Sequence, residues 1–324
     1  MPLIEAVPNI SEGKNTAVLQ TLAAYWRTCR AVQLLHIDSN PSANRTVYTL
    51  VAEPAALLEA LFGFIDKTTQ LLDMRMQHGT HPRIGAVDVC PLIPIKDISL
   101  KQTAQLARQL AHRVGQELQI PVYLYEAAAR QEERKNLAFI RSGQYENLPK
   151  KLRTLPPDFG PQEINAHVQK TGACIIGARN FLIAFNINLN TRDVQAAQKI
   201  AARIRESNGG LPGVKAIGWY MENFKRAQVS CNIVDFRQTP LHLVYQTCQR
   251  YATQMGLQAT GCELVGLVPL EAMLDSGHYY TPQEKEIQTL LNVAAQKLNL
   301  SEVKPFDPFQ QIFEIKAGLV TLEK

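Results

Sequence analysis

The sequence DVCPLIPI at residues 88–95 is echoed by ELVGLVPL at residues 263–270, which begins 175 positions later. In both stretches an acidic residue leads into an apolar run that is interrupted near its end by proline. Similarity at one fixed separation indicates a duplicated module. Eight residues are a short match, so the elements on either side of each copy have to support the duplication.

The elements around the first copy predict the order β-α-β-β-α-β, followed by an additional helix and strand. Apolar residues spaced three and four apart predict helices, whereas alternating or β-branched runs between turn residues predict strands. The predicted strands span residues 3–7, 32–37, 45–51, 87–95 and 122–125, and the predicted helices span residues 15–28, 55–72 and 100–118.

The second half repeats this order. Its predicted strands span residues 182–189, 214–221, 227–236 and 260–268, and its predicted helices span residues 191–204 and 241–254. A β-α-β-β-α-β unit is typical of the ferredoxin-like sandwich. We therefore predict an α+β protein of two ferredoxin-like subdomains, residues 1–178 and 179–324, with a ligand site between them. The proline-rich connection at residues 148–171 is predicted to be irregular.

Composition gives only a broad class. The chain has 324 residues, 46% of them hydrophobic, and a formal net charge of +5 that is spread along it. That charge suits an anionic small molecule as well as a nucleic acid. No signal peptide or 18-residue apolar stretch is present, and six separated cysteines are expected to be buried thiols. We expect a cytoplasmic protein without a membrane partner.

The loop from Gln77 to Asp88 carries the strongest chemical signal. Its glycines and proline disfavour a long helix, and it holds His78, His81, Arg83 and a carboxylate within eleven residues. Two histidines and an aspartate could bind a metal, but a metal-binding pair three apart normally lies on a regular helix. We therefore favour acid–base chemistry by His81, which Pro82 stiffens, over metal binding or a purely structural loop.

Several other polar groups are weaker candidates. The segment at residues 7–15 ends a strand and opens a helix, so it could be a helix cap or a ligand-binding turn. The polar hairpin tip at residues 38–45 could be solvated only. Asn186 and Asn188 share one face of a strand, where asparagine is rare and needs hydrogen-bonding partners. The sequence has no glycine-rich phosphate-binding motif and no nucleophile elbow.

Six blocks of sequence resemble the glutamate formiminotransferase family, which also forms the N-terminal part of the bifunctional formiminotransferase-cyclodeaminases. The blocks are VPNISEGKN (7–15), DSNPSANRTVYTLV (38–51), HGTHPRIGAVDVCPLIP (78–94), PVYLYEAA (121–128), PDFGP (157–161) and FLIAFNINL (181–189). The likeness runs to about Pro308, and without a cyclodeaminase portion it implies a stand-alone transferase.

This resemblance implies transfer of a formimino group between N-formimino-L-glutamate and tetrahydrofolate, in histidine degradation and one-carbon metabolism. It implies a homodimer of two-subdomain chains, with helices on the outer face of each sheet and the folate in a channel between subdomains. His81 falls on the family's catalytic histidine, and Asp38 falls on a carboxylate that assists it. The folate-binding stretch corresponds to residues 160–172, although residues 162–170 differ in wording and length from the family's pattern.

The implied chemistry predicts roles for the polar residues. Folate N5 would attack the amidine carbon, His81 would protonate the departing glutamate nitrogen as a general acid, and Asp38 or Asp88 would orient the ring. Arg83 or Arg45 would hold a substrate carboxylate, and no metal is expected. The full set of predicted substrate- or folate-binding residues is Asn9, Ser11, Glu12, Arg45, Arg83, Asp158, Phe159, Gly160, Pro161, Gly172, Asn186 and Asn188.

Two alternatives stay open. The same scaffold could prefer an N-formyl over an N-formimino donor, because the two groups differ only by oxygen in place of NH. A tandem ferredoxin-like fold could also be an RNA-binding module, but the hairpin strands lack the exposed aromatic pattern of such modules. We therefore expect small-molecule substrates, with a folate that can be polyglutamylated, and no nucleic-acid partner.

Overall fold

The computed structural model describes residues 1–79, 81–222, 225–302 and 304–322 of the chain. The chain divides into two compact units, Met1–Asn180 and Phe181–Lys324. No helix among the described residues is long and apolar enough to cross a membrane.

The first unit contains seven strands and six α-helices among its described residues. The strands are β1 (Leu3–Ala6), β2 (Asn9–Ile10), β3 (Gln33–Asn40), β4 (Arg45–Ala52), β5 (Val87–Lys96), β6 (Val122–Glu126) and β7 (Cys174–Ala178). The helices are α1 (Thr16–Thr28), α2 (Pro54–Leu71), α3 (Leu100–Glu117), α4 (Leu137–Arg141), α5 (Leu148–Thr154) and α6 (Ala166–Thr171).

The seven strands form one sheet that contains the predicted ferredoxin-like arrangement. β1 and β2 together occupy one strand position between β4 and β5, antiparallel to both, and β3 pairs with the outer edge of β4. β7 then adds in parallel to β5, and β6 adds in parallel to β7. The four strand positions at one end of the sheet, β3, β4, β1 with β2, and β5, therefore have the order expected of a β-α-β-β-α-β sandwich.

Strand β7 was not predicted, and the prediction for the connection at residues 148–171 was wrong. That connection contains helices α5 and α6, and the chain then returns to place β7 between β5 and β6. Proline at the start of α5 is compatible with a helix. The backbone N–H groups of the first turn have no acceptor within the helix, so the missing N–H of proline costs no hydrogen bond there. A run of small and branched residues, CIIGA, is completely buried in β7, as is common for a strand with neighbours on both sides.

Both faces of this sheet are partly covered. Helices α1, α2 and α3 cover one face, where Trp26, Phe64 and Leu110 pack against the strands in the main hydrophobic core. Helices α4, α5 and α6 cover the part of the opposite face formed by β5, β6 and β7, with Ile140 and Leu152 in a second, smaller core. The rest of that opposite face, on β2 and β4, carries polar side chains.

The second unit repeats the ferredoxin-like order. Its strands are β8 (Ile183–Leu189), β9 (Val214–Met221), β10 (Arg226–Ile233) and β11 (Ala259–Val265), and its helices are α7 (Val194–Ile204), α8 (Leu241–Gln254), α9 (Leu270–Tyr280), α10 (Ile287–Lys297), α11 (Pro308–Gln311) and α12 (Phe313–Lys316). The sheet order is β11-β8-β10-β9, with all pairs antiparallel.

This topology confirms the predicted α+β class with two sheets. Both echoed octapeptides begin within the last strand of a β-α-β-β-α-β unit, in β5 and β11 respectively, but only the first copy lies wholly in its strand. The second copy is a shorter strand than predicted. β11 ends at Val265, since Gly266 takes a φ of +81°, a left-handed conformation that ends the extended run.

Candidate active site

A bulge in β5 directs Asp88 toward the polar face of the first sheet. Asn9 pairs with Val89 and Ile10 pairs with Val87, so Asp88 is the additional residue between two consecutive positions of β2. A bulge breaks the strict alternation of side chains and re-aims the additional residue. The carboxylate of Asp88 is consequently buried beside polar groups, with its side chain 1% exposed.

Asp88 accepts hydrogen bonds from three directions. Its Oδ1 accepts from the backbone N–H of Ile84 at 2.9 Å, and its Oδ2 accepts from Nη1 of Arg45 at 3.3 Å and from Nη2 of Arg141. Burial raises the pKa of Asp88, but the two guanidinium groups outweigh it and hold that pKa below its usual value. Asp88 is therefore a carboxylate at neutral pH, shared by two cations.

Arg45 enters this cluster from β4 and is held in place by Asn9. Oδ1 of Asn9 accepts from Nε of Arg45 at 2.9 Å and also from Nη2, which fixes the plane of the guanidinium. Burial and the nearby charge of Arg141 lower the pKa of Arg45 to about 9, so the group still carries its charge at neutral pH. The predicted site residues Asn9 and Arg45 thus meet in one arrangement.

The imidazole of His81 lies against this arginine. Its Nδ1 is 2.7 Å from Nη1 of Arg45 and 2.7 Å from the carbonyl oxygen of Pro82. Guanidinium only donates and a carbonyl only accepts, so Nδ1 bonds one of them at a time, according to which ring nitrogen carries the proton. In the tautomer with a proton on Nδ1, the hydrogen bond goes to Pro82 and Nε2 keeps a free lone pair.

The charge state of His81 differs from the expectation. Burial is the largest effect, followed by the charges of Arg45 and Arg141, and together they lower the pKa of His81 to about 3. The ring is therefore neutral at pH 7, whereas a general acid in the free protein would have to be protonated. A neutral imidazole is first of all a proton acceptor.

Arg83 is engaged within the protein, and its role as a carboxylate ligand stays a prediction. Its Nε and Nη2 donate to the carbonyl of Gln77 at 3.1 and 2.8 Å, and its Nη1 donates to Oε1 of Gln144 at 3.2 Å. Its remaining donors form a two-pronged ion pair with Glu146 at 3.1 and 2.6 Å. All five N–H groups are used, so Arg83 fixes the loop that carries His81.

Ser11 and Glu12 also shape the site from within. Oγ of Ser11 donates to the carbonyl of Gly85 at 2.7 Å, which ties the end of β2 to the loop from Gln77 to Asp88 that carries His81, here called the histidine loop. Oε1 of Glu12 accepts from the backbone N–H groups of Lys14 and Asn15 at 2.7 and 2.9 Å. Both side chains hydrogen-bond to backbone groups of the chain, so in this structure they hold the backbone around the site in place.

Gly172 brings the end of α6 against the same loop. It forms an isolated antiparallel bridge with Gly85, and its φ of +67° with ψ of −153° is a conformation that almost only glycine adopts. A Cβ on Gly172 would lie 2.4 Å from the carbonyl oxygen of Ile84. The predicted binding residue Gly172 therefore lies directly beside the histidine loop. The close approach of the two backbones requires glycine at this position, because a larger residue would not fit.

Asp38 shares the polar face but lies further along the sheet. It is half-buried on β3 opposite Val47, and Val47 also pairs with Asn9 on its other side, so all three lie in register across neighbouring strands. Two inter-strand spacings separate Asp38 from Asn9, roughly 10 Å between backbones. Over the described ranges no ion pair or hydrogen bond joins Asp38 to His81, and Asp88 is the carboxylate that acts on the ring.

The predicted folate-binding segment at residues 158–161 lies at another edge of the sheet. Asp158 accepts from the backbone N–H of Leu124 at 2.9 Å and from Nη1 of Arg134 at 2.7 Å. Phe159 forms an isolated antiparallel bridge with Val122 on β6, and its side chain packs against the main core beneath helices α1, α2 and α3. Gly160, which has a φ of +83°, and Pro161 follow Phe159 directly in the chain. The structure therefore does not bring this segment to His81.

Asn186 and Asn188 belong to the second unit, where they have the partners that their burial requires. Nδ2 of Asn188 donates to Glu302 at 2.8 Å, and Oδ1 of Asn188 accepts from Nε2 of Gln228 at 2.9 Å. Asn186 is 3.5 Å from Oε2 of Glu263. Gln228 in turn accepts from the indole of the partly exposed Trp219 at 2.7 Å. The predicted need for hydrogen-bonding partners is confirmed.

Sequence reasoning missed Arg141, which the fold brings to the site from helix α4. Nothing in its sequence neighbourhood distinguishes it, since it lies 53 residues from Asp88 and its ion pair exists only in the folded chain. His78 is exposed and offers its carbonyl to Nζ of Lys14 at 3.4 Å. In the part of the chain that the structure describes, no group of three histidine, cysteine, aspartate or glutamate side chains is arranged for a metal ion.

Comparison with known proteins gives matches along most of the chain. Residues 3–179 match the family model of the formiminotransferase domain, N-terminal subdomain, and residues 184–317 match that of the formiminotransferase domain. The glutamate formimidoyltransferase of Streptococcus pyogenes serotype M1 is 41% identical over 284 residues, covering 87% of this chain and 94% of that protein. The glutamate formimidoyltransferase of Thermoplasma acidophilum is 39% identical, covering 86% and 92%.

Longer relatives match as well. The rat formimidoyltransferase-cyclodeaminase is 42% identical over 324 residues, which cover 96% of this chain and 59% of that protein. The chain thus spans about three fifths of the length of these longer curated relatives. A solved microcompartment protein from Desulfitobacterium hafniense aligns with 82% of this chain and 94% of its own, at 9% identity, but its TM-score of 0.22 is too low to indicate a shared fold.

Proposed function

The chain belongs to the formiminotransferase domain family, and from this premise we propose that it is a glutamate formimidoyltransferase. It would transfer the formimino group between N-formimino-L-glutamate and tetrahydrofolate, as part of histidine degradation. The family match agrees with the resemblance of the six sequence blocks and favours a transferase over an RNA-binding module.

The arrangement of His81, Arg45 and Asp88 supports this proposal. Transfer from nitrogen to nitrogen needs one group that removes a proton from the attacking amine and returns a proton to the departing amine. Burial and the adjacent cations keep the ring neutral, and a neutral ring has a lone pair that can take the first proton. The single observation that carries the proposal is the distance of 2.7 Å between Nδ1 of His81 and the carbonyl oxygen of Pro82, because a proton on Nδ1 shared with that carbonyl leaves the lone pair of Nε2 free to take a proton.

The proposed step conserves its protons. N5 of tetrahydrofolate attacks the amidine carbon of N-formimino-L-glutamate and forms the new N–C bond, while Nε2 of His81 takes the proton from N5. The resulting imidazolium then protonates the glutamate nitrogen, and the old C–N bond breaks to release L-glutamate. The predicted general acid is therefore formed within the cycle, after the ring has first acted as a base.

The other predicted binding roles remain proposals of different strength. Arg45 contacts the ring, Asn9 holds Arg45, and Gly172 pairs with Gly85 in the loop that carries His81, which favours contact of these residues with a substrate. Asp38 has a carboxylate on the same face and is proposed to assist from β3. Folate contacts at residues 158–161 and at Asn186 and Asn188 stay predictions from the resemblance, as do the homodimer, the cytoplasmic location and the preference for polyglutamylated folate.

The proposal is tested by incubating the purified chain with tetrahydrofolate and N-formimino-L-glutamate and measuring released L-glutamate with glutamate dehydrogenase. N-formyl-L-glutamate is run beside it at the same concentration. We expect faster release from the formimino donor. Equal or faster release from the formyl donor would make the chain a formyltransferase. No release from either donor, with the protein folded by circular dichroism, would overturn both.

A further inference from the structure

Among Arg45, Arg83 and Arg141, Arg141 donates the fewest hydrogen bonds. Its side chain is 13% exposed, and Nη2 donates to the carboxylate of Asp88. Its Nε is buried without a hydrogen-bond partner among the residues that the structure describes. Over those same residues Nη1 has no hydrogen bond either. A buried guanidinium N–H without an acceptor is costly, so these donors are available to an acceptor that comes from outside the chain.

The charges of the cluster point the same way. Arg45 and Arg141 carry two positive charges and share one oxygen of Asp88, while His81 is neutral. The side chains of these three charged residues are 16%, 13% and 1% exposed. One positive charge is therefore left over in a largely desolvated place, where an unbalanced charge is unfavourable. A bound anion would balance it.

The other two arginines of the site have no comparable pair of free N–H groups with which to bind a carboxylate. Arg45 uses Nε and Nη2 on Asn9 and directs Nη1 at Asp88 and His81. Arg83 has all five of its donors engaged. Arg141 alone among the three combines burial, proximity to the reacting ring through Asp88, and several free donors. Guanidinium groups with free donors pair preferentially with carboxylates.

We propose that Arg141 binds a carboxylate of the glutamyl substrate and thereby places the reacting carbon at His81. This proposal rests on the proposed function, because it assigns the ligand of that same site. The carboxylate has two possible sources, the glutamate of the formimino donor and the glutamate of the folate. The chemistry of recognition is the same for both, and the experiment separates them.

The test combines changes in the protein with matching changes in the substrate. Arg141→Gln removes the charge, and Arg141→Lys keeps it without the fork. Arg113→Gln is the matched control, because Arg113 on α3 pairs with the exposed Glu59 and lies outside the site. The donors are N-formimino-L-glutamate, N-formimino-4-aminobutyrate, which lacks the α-carboxylate, and N-formimino-2-aminobutyrate, which lacks the side-chain carboxylate. Tetrahydropteroate replaces tetrahydrofolate to remove the folate's glutamate.

We expect Arg141→Gln to lower kcat/KM for the complete substrates about 10- to 100-fold, as for the loss of a charged hydrogen bond, with most of the change in KM. The same variant should cost little with whichever substrate lacks the bound carboxylate, since that interaction is already gone. Arg141→Lys should fall between, and guanidinium added to Arg141→Ala should restore part of the rate.

Two results would overturn the proposal. One is an unchanged kcat/KM in Arg141→Gln. The other is an equal reduction with every donor and acceptor, which would make Arg141 a structural support of Asp88. Calorimetric titration of wild type and Arg141→Gln with L-glutamate and with folate measures anion binding without turnover. Lost binding supports the proposal even if wild type transfers no formimino group, and unchanged binding of both ligands contradicts it even if wild type is active.

Discussion

Nη1 of Arg45 lies 2.7 Å from Nδ1 of His81, so a permanent cation on β4 directly faces the ring on the histidine loop. A cation beside an imidazole disfavours the charged form of the ring. The arrangement therefore helps to keep His81 neutral in the free protein, and the proton that it later donates has to come from the reaction itself.

Replacement of His81 is expected to remove most of the transfer activity. His81→Asn keeps a polar side chain but cannot cycle a proton, and general acid–base groups contribute roughly 10² to 10⁴ in rate. We expect kcat for formimino transfer to fall by that range in the glutamate-release assay. His78→Asn is the control in the same loop, because His78 is exposed and no contact joins its ring to the site among the described residues. Comparable losses in both variants would contradict the assignment.

The pH profile of kcat/KM should not show the fall below about pH 6.5 that protonation of an ordinary histidine produces. With its pKa lowered to about 3, His81 stays neutral from pH 8 down to pH 5, so kcat/KM should not fall with a midpoint near 6.5. Arg45→Gln removes one of the two cations and should raise the pKa of His81 toward its usual value. Carbon-13 NMR of labelled histidine measures this, with His81→Asn used to assign the signal. A midpoint near 6.5 in wild type would be incompatible with the structure.

Stability should depend on the same ring. The unfolded chain takes up a proton on His81 near pH 6.5 and the folded chain only near pH 3, so the folded state becomes less stable as the pH falls through that range. Above pH 6.5 His81 adds no pH dependence. Urea unfolding of wild type and His81→Asn at pH 7.5 and pH 5 should show a smaller loss of stability in the variant. An equal loss in both would assign the acid sensitivity elsewhere.

Asp88 should be important for folding as well as for the site. Asp88→Asn leaves Arg45 and Arg141 without their shared anion, and breaking a buried ion pair typically costs about 3 to 5 kcal/mol. Glu59→Gln is the matched control, because it makes the same chemical change in an exposed pair with Arg113, where about 0 to 1 kcal/mol is expected. Urea unfolding measures both, and equal costs would refute the role of burial.

The tight approach at Gly172 predicts a large effect from one methyl group. Gly172→Ala places a Cβ 2.4 Å from the carbonyl oxygen of Ile84, at backbone angles that essentially exclude other residues. Gly209→Ala is the control, with φ of +80° and ψ of 19° and nothing within 4 Å of its Cβ. We expect about 1 to 2 kcal/mol for the control from left-handed strain alone, and a larger loss for Gly172→Ala. Similar melting temperatures would argue against the close approach.

Local pattern predicted most of the elements of both units. The alternation at residues 45–51 and the helical spacing at residues 100–118 depend on neighbours in sequence, and both elements formed as expected, as β4 and α3. Strand β7 was missed because CIIGA lies behind a proline-rich connection and pairs with β5 and β6, which are distant in sequence. A short apolar run gives no sign of which strands it will separate.

Periodicity predicted the duplicated α+β architecture, the polar loop singled out His81, and the resemblance to the family added Asn9 and Arg45, because all of these are read from the order of residues along the chain. The folded chain was needed to show that a bulge turns Asp88 toward the polar face, that Arg83 has hydrogen-bond partners within the chain, and that Arg141 reaches the site from α4. Hydrogen-bond saturation and pKa depend on which groups burial brings within a few ångströms of one another, and linear sequence does not contain those distances.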